Sequence, residues 1–285
     1  MTIRNPLALL ACITLAGCAA SSQTGRQQVV VPTGVSEVYS EVDLQMKLAS
    51  ASPQTEAQAE DQCLQLEQQR QIRKVMERVV ITAKRLYPDL EERGVKFRFE
   101  VAPSAEAGVL SNAGGTIVIL QGTQDMKFPD SVLAFIVARE MGHVIGRHHD
   151  ENSAATVVFS VLTQVLFPAA ALVKGLSAIL PTTAAGTAVT ASAVSYLGAT
   201  ALRTTYREDH LREAEQIAFT LMVESGWDLY EVAADAQSLV VKGGDETWML
   251  ELRESLQALD HLANGPRRRP FHVRPGLAAG PDARD

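Results

Sequence analysis

The sequence predicts an α+β protein, predominantly helical, on three observations. Apolar residues recur at spacings of three and four over 57–86, 131–149, 206–225 and 230–263, the period that turns one helix face inward. Only 96–101 and 116–120 carry strand patterns, so the sheet is expected to be small. Polar, Gly-rich and Pro-rich sequence gathers at the two ends, outside a single domain expected over 37–263. At 285 residues, with 46% apolar and 21% charged, the chain can bury one sizeable core.

Residues 1–17 carry Arg4 as their only charge, then the apolar run 7–16, the layout of a secretory signal. Leu15-Ala16-Gly17-Cys18 resembles the bacterial lipobox, in which the cysteine is acylated and becomes the new N-terminus. The resemblance implies lipid attachment at Cys18, with the signal removed. Ala19 in place of an aspartate resembles lipoproteins of the outer membrane, so a periplasm-facing, lipid-anchored place in a bacterial cell envelope is expected. Acyl chains contribute about 0.8 kcal/mol per buried methylene, enough for a lasting anchor. Cys12 leaves with the signal and Cys18 is acylated, so Cys63 alone stays a thiol and no internal disulfide is expected.

Residues 18–36, rich in Ser, Gln, Thr and Gly, read as a tether behind the lipidated cysteine. In the helix predicted over 57–86, Ile72, Val75, Met76, Val79, Val80 and Ala83 form the inward stripe. Lys96 to Val101 alternates as a half-buried strand, Asn112-Ala113-Gly114-Gly115 is a turn, and Thr116 to Leu120 is a second strand. Ser131 to His149 reads as one helix. The segment 153–202 has Lys174 as its only charge. A buried or surface-lying helical hairpin is favoured there over two membrane spans, because Pro168 and Pro181 interrupt it and its second half is rich in Ala, Gly, Thr and Ser. Gly226 ends the helix over 206–225. The Pro-, Gly- and Arg-rich tail 264–285 is expected to be disordered. The net charge of −7 and pI near 5.5 exclude a basic nucleic-acid face.

The chemistry lies in Arg139-Glu140-Met141-Gly142-His143. In the zinc-protease motif H-E-x-x-H, two histidines one helical turn apart ligate the metal and the glutamate takes a proton from the bound water. Here Glu140 and His143 hold their places and Arg139 stands where the first ligand would be.

REMGHVIGRHH, the apolar segment, and YREDHLREAEQIAFTLMVESGWDLYEVA together resemble peptidase family M48, the zinc gluzincins, over roughly 95–234. The family carries E-x-E-A-D on a second helix and a G-Y-D-P-like corner after it. Aligned on Ala214, with Gly226-Trp227-Asp228 at the corner, the resemblance places the third zinc ligand at Leu211 and the closing acid at Glu215. It also implies a substrate-pairing edge strand after Asn112-Ala113-Gly114-Gly115, a stretch that is shortened here relative to the family's N-A-F-x-x-P-G-G.

Two of three ligand positions are therefore replaced. A positive charge about 4 Å from a divalent cation is opposed by roughly 8 kcal/mol at an effective dielectric of about 20. Among substitutes, His148, His149, Asp209 and His210 are near in sequence. His148 points away on a regular helix, and His210 is one step, about 100°, round from Leu211 unless a bulge intervenes. Arg139 is expected to pair with Glu215, with Glu208 or Glu140 as alternatives, while Leu211 fills the space of the lost carboxylate.

The favoured reading is a pseudopeptidase without cofactor that binds an envelope protein or polypeptide client. The alternative is an active zinc metalloendopeptidase of envelope quality control, with Glu140 catalytic and His143 on the metal. A purely structural lipoprotein is the third class.

Overall fold

The computed structural model describes residues 18–21, 25–50, 59–154, 207–238 and 247–264. The signal 1–17, most of the apolar segment 153–202 and the tail from 265 lie outside the described residues, so the hairpin expectation does too. The architecture is α+β and predominantly helical with a small mixed sheet. Among the described residues no helix is long and apolar enough to cross a membrane.

Strands β1 (Cys18–Ser21) and β2 (Gln27–Val30) pair antiparallel, Cys18 opposite Val30. Helix α1 (Thr33–Ser50) follows at once. Of the expected tether 18–36, the described residues thus form two paired strands and the first turn of a helix. They are also held down: Gln28 donates to the Gly146 carbonyl at 2.6 Å, and Arg26 pairs with Glu151.

Helix α2 (Ala59–Leu86) buries Ile72, Val75, Met76, Val79 and Ala83, the predicted stripe, with Val80 half-buried at its margin. It stops before Pro88, which disfavours helical backbone at Tyr87. A short α3 (Asp89–Glu92) intervenes before β3 (Arg98–Ala102), β4 (Val109–Ser111) and β5 (Thr116–Leu120). The order is β3-β5-β4, β3 parallel and β4 antiparallel to β5. The predicted strands therefore pair with each other in parallel, and the strand after the turn 112–115, expected at the edge, is the central one, with the turn joining it to the edge strand β4.

A brief α4 (Gln121–Asp125) leads to α5 (Asp130–Ile145), the centre of the core. Nearly all of its residues are buried, because α2, β4, β5 and the later helices surround it. This corrects the expectation of one inward face. The helix over 131–149 also breaks: α5 ends at Ile145, Arg147 takes φ 60°, and helix α6 (148–154) begins afresh. Arg93 fixes that end by donating to the carbonyls of Val144 at 2.7 Å and Ile145 at 3.3 Å, which a helix C-terminus leaves unsatisfied.

Helix α7 (207–224) crosses α5 closely, with Phe135 and Phe219 stacked at 5.6 Å between centroids. A Cβ on Gly142 would stand 2.4 Å from the Ala214 carbonyl oxygen, so glycine sets this approach. At the end of α7, Gly226 N–H reaches the Val223 carbonyl and Trp227 N–H the Met222 carbonyl, a pair that closes a helix. Asp228 then caps α8 (Leu229–Ser238) by accepting from Tyr230 N–H at 2.9 Å. Helix α9 (Thr247–Asn264) packs on α8, so the stretch predicted over 230–263 is two helices.

Candidate functional site

Arg139 sits on α5 with 2% of its surface exposed. Its Nη1 donates to Ser255 Oγ of α9 at 2.8 Å, while Nε has no hydrogen-bond partner among the described residues. Ser255 is fully buried, and its hydroxyl holds the Glu215 pKa down against burial. The expected direct Arg139–Glu215 pair does not form: the guanidinium bonds Ser255 instead, with Glu215 acting on it through charge, an arrangement sequence spacing could not reveal. Burial pulls the Arg139 pKa down, and the nearby carboxylates of Glu140 and Glu215 oppose that. Burial pushes Glu215 up, against Ser255 and Arg139. Glu208 is not the partner: it is largely exposed and bonds Arg212.

Glu140, one residue on, faces the sheet. Its Oε2 accepts from Ser111 Oγ of β4 at 3.0 Å. His149 Nε2 lies 3.1 Å from the same hydroxyl, and since Ser111 gives its proton to Glu140, His149 is assigned as donor. Burial raises the Glu140 pKa, with Arg139, Ser111 and Lys47 holding it back.

Three histidines gather where the sequence geometry separates them. His143 Nδ1 lies 2.9 Å from His148 Nδ1, and the His148 ring stacks on His210 at 4.3 Å between centroids and 8° between planes. The break at Arg147 is the reason, because it returns His148 toward α5 instead of continuing the helix. Gly146 makes room: a Cβ there would lie 2.7 Å from His148 Nε2. His148 Nε2 is 3.4 Å from Glu213 Oε2, so with the proton on Nε2 its Nδ1 accepts from His143. Burial holds both His143 and His148 well below the ordinary imidazole range, and neighbouring cationic and imidazole groups add to this.

Behind the histidines, Arg26 donates to both oxygens of Glu151 at 2.9 Å, and Glu151 also bonds His210 Nε2. Arg26 lies 3.4 Å from Glu213 as well, whose Oε1 has no partner among the described residues. Although burial works against it, bonding to His210 and Arg26 brings Glu151 down to about 2. Sequence reasoning missed Arg26, Ser111, Glu151, Glu213 and Ser255, which lie far from the motif or carry no motif of their own.

A catalytic zinc does not fit these residues. By the family resemblance Arg139 stands at the first ligand place and half-buried Leu211 at the third, which leaves His143 as the one family ligand. Among the described residues no group of three His, Cys, Asp or Glu is arranged to hold a metal ion. Asp209 is exposed beside Arg212 and His149 is committed to Ser111, so neither completes a set. A groove of about 530 Å³ between α2 and β3, lined by Arg73, Lys74, Phe97 and Arg98 among others, is on the far edge of the sheet from β4.

The model of peptidase family M48 matches residues 66–255, from α2 through Ser255. No curated protein matches the chain. The match spans two thirds of the sequence and covers both motif helices, and the chain belongs to peptidase family M48.

Proposed function

We propose that this M48 protein is a pseudopeptidase of the bacterial cell envelope, anchored by lipid at Cys18, that binds a polypeptide client without cutting it. The observation that carries the reading is the buried Arg139 guanidinium, bonded to Ser255 where, by the family resemblance, a metal-binding histidine would stand. Without a metal-bound water, Glu140 has nothing to deprotonate and serves as the acceptor that fixes β4 through Ser111.

The client would lie along β4, the sheet edge next to Glu140. Strand addition draws affinity from main-chain bonds and needs no metal. Helix α1 limits that edge, because Ser40 Oγ accepts from Ala113 N–H at 2.9 Å and Glu41 accepts from the Asn112 amide at 2.6 Å. The outward backbone groups of Val109 and Ser111 take no backbone partner among the described residues.

Convergence of His143, His148 and His210 favours one alternative, an active zinc endopeptidase in envelope quality control. Cleavage of casein with zinc supplied, compared between wild type and Glu140→Gln, separates the two. Equal background in both supports the pseudopeptidase, and cleavage lost only in Glu140→Gln overturns it. A photo-crosslinker at Ala113 should trap a polypeptide in cells, while background adducts alone would leave a structural lipoprotein.

A further inference from the structure

Helix α1 is inside out. The residues it buries against the domain are Ser36, Ser40 and Leu44, and the Ser36 hydroxyl finds no partner among the described residues. Facing solvent are Val38 at 63% exposure, Val42 at 52%, Met46 at 45% and Tyr39 at 37%. At about 100° per residue, Val35, Val38, Tyr39, Val42, Met46 and Ala49 share an arc of roughly 100° that contains no charge. Glu37, Glu41, Asp43 and Lys47 all fall outside it. Single exposed apolar residues are ordinary, but a continuous stripe marks a surface meant to be covered.

The charges beside the stripe are committed elsewhere. Glu41 accepts from Asn112, and Asp43 pairs with Lys47 at 3.0 Å. Little charge therefore resists bringing this face to an apolar phase. The hairpin register then supplies the direction of approach. Cys18 is the partner of Val30, three residues before α1 starts, which is at most about 10 Å of extended chain. A lipid on Cys18 would bring the bilayer to the first turn of α1.

We propose that the outward face of α1 lies on the lipid bilayer, with Val38, Tyr39, Val42 and Met46 in the headgroup and upper acyl region. An amphipathic helix of this kind sinks about 5–10 Å into that boundary. Together with the acyl group it makes two membrane signals, and it fixes the side of the domain that meets the membrane. Because α1 also holds Asn112 and Ala113, that side is next to the β4 edge. The helix carries more acidic than basic residues, so a neutral phosphatidylethanolamine and phosphatidylcholine surface suits it better than an anionic one. The inference rests on the proposed anchoring at Cys18 for its direction of approach, and its test separates the two.

The experiment places an environment-sensitive fluorophore at Val42→Cys, and in a control at Lys84→Cys on exposed α2, both in full-length protein carrying Cys63→Ser. The protein is reconstituted in neutral vesicles containing nitroxide-labelled lipid. Blue-shifted emission and quenching at 42, with neither at 84, is expected. Solvent-like emission at 42 overturns the proposal. So does protection at 42 that is the same without vesicles, the outcome if a second copy or another segment of this chain covers the stripe. Mass spectrometry of Cys18 reads the anchor separately. If Cys18 is unmodified, histidine-tagged protein that also carries Cys12→Ser and Cys18→Ser, held on nickel-chelating lipid in the same vesicles, still reports on α1, and quenching at 42 is still expected.

Discussion

Arg139 and Ser255 meet at 2.8 Å between α5 and α9, and this contact makes a cation acceptable at the centre of the core. A buried charge is costly unless opposing charge and hydrogen bonds lie close to it. Glu140 and Glu215 supply the opposing charge, and Ser255 accepts a hydrogen bond from the guanidinium.

Arg139→Ala should therefore destabilise the fold by about 3–5 kcal/mol, since it strands buried Glu215 and Ser255. Ser255→Ala should cost about 1–3 kcal/mol for the unsatisfied guanidinium. Urea unfolding of both variants and the double mutant checks this. The effects should fall well short of additive, because Arg139 and Ser255 are in direct contact.

Gly142→Ala and Gly146→Ala should act differently. The first puts a methyl 2.4 Å from the Ala214 carbonyl, a backbone contact that can yield only by separating α5 from α7. A loss of about 1–3 kcal/mol or more is expected in thermal or urea unfolding. The second meets a side chain, His148 Nε2 at 2.7 Å, so it should displace that ring at lower cost. The imidazole NMR signals of His148 and His210 should shift in Gly146→Ala.

Acid should expose the Glu151 network. Its folded pKa is depressed to about 2, below the ordinary value of 4.5, so the unfolded chain binds the proton more readily. The stabilisation is complete above about pH 4.5 and is lost as pH falls toward 2. Glu151→Gln should flatten this part of the stability profile. An unchanged acid limb in that variant would show that the Arg26–Glu151–His210 contacts do not contribute to stability.

The helical framework was largely legible because α2 and α7 carry long, periodic apolar stripes, and the corner at Gly226-Trp227-Asp228 states its own chemistry. Strand β4 has only three residues, too few for an alternation to show. The break at Gly146 and Arg147 was misread because the apolar spacing runs unbroken into it. The cue was Gly146 itself, but the cause is Arg93, 51 residues from the Val144 carbonyl it takes. Arg26 meets Glu151 across 125 residues, a contact only the tertiary fold creates. Position 139 showed its lost histidine plainly, yet Ser255 carried no signal as its partner.

Restoring the ligands tests the register. Arg139→His with Leu211→Glu returns a histidine and a carboxylate to the two replaced positions. The double variant should bind zinc where each single variant does not, read by metal analysis and by thermal stabilisation on zinc addition. Failure to bind in a folded double variant would mean that Leu211 is not the third ligand position.

The central claim is that the native site does not hold a catalytic metal, and metal analysis of the purified protein addresses it most directly. Wild-type protein is given zinc in excess, dialysed against metal-free buffer, and assayed for metal per chain. Retained zinc well below one equivalent, unchanged by His143→Ala, is predicted. One equivalent retained, and lost in His143→Ala, would contradict the account.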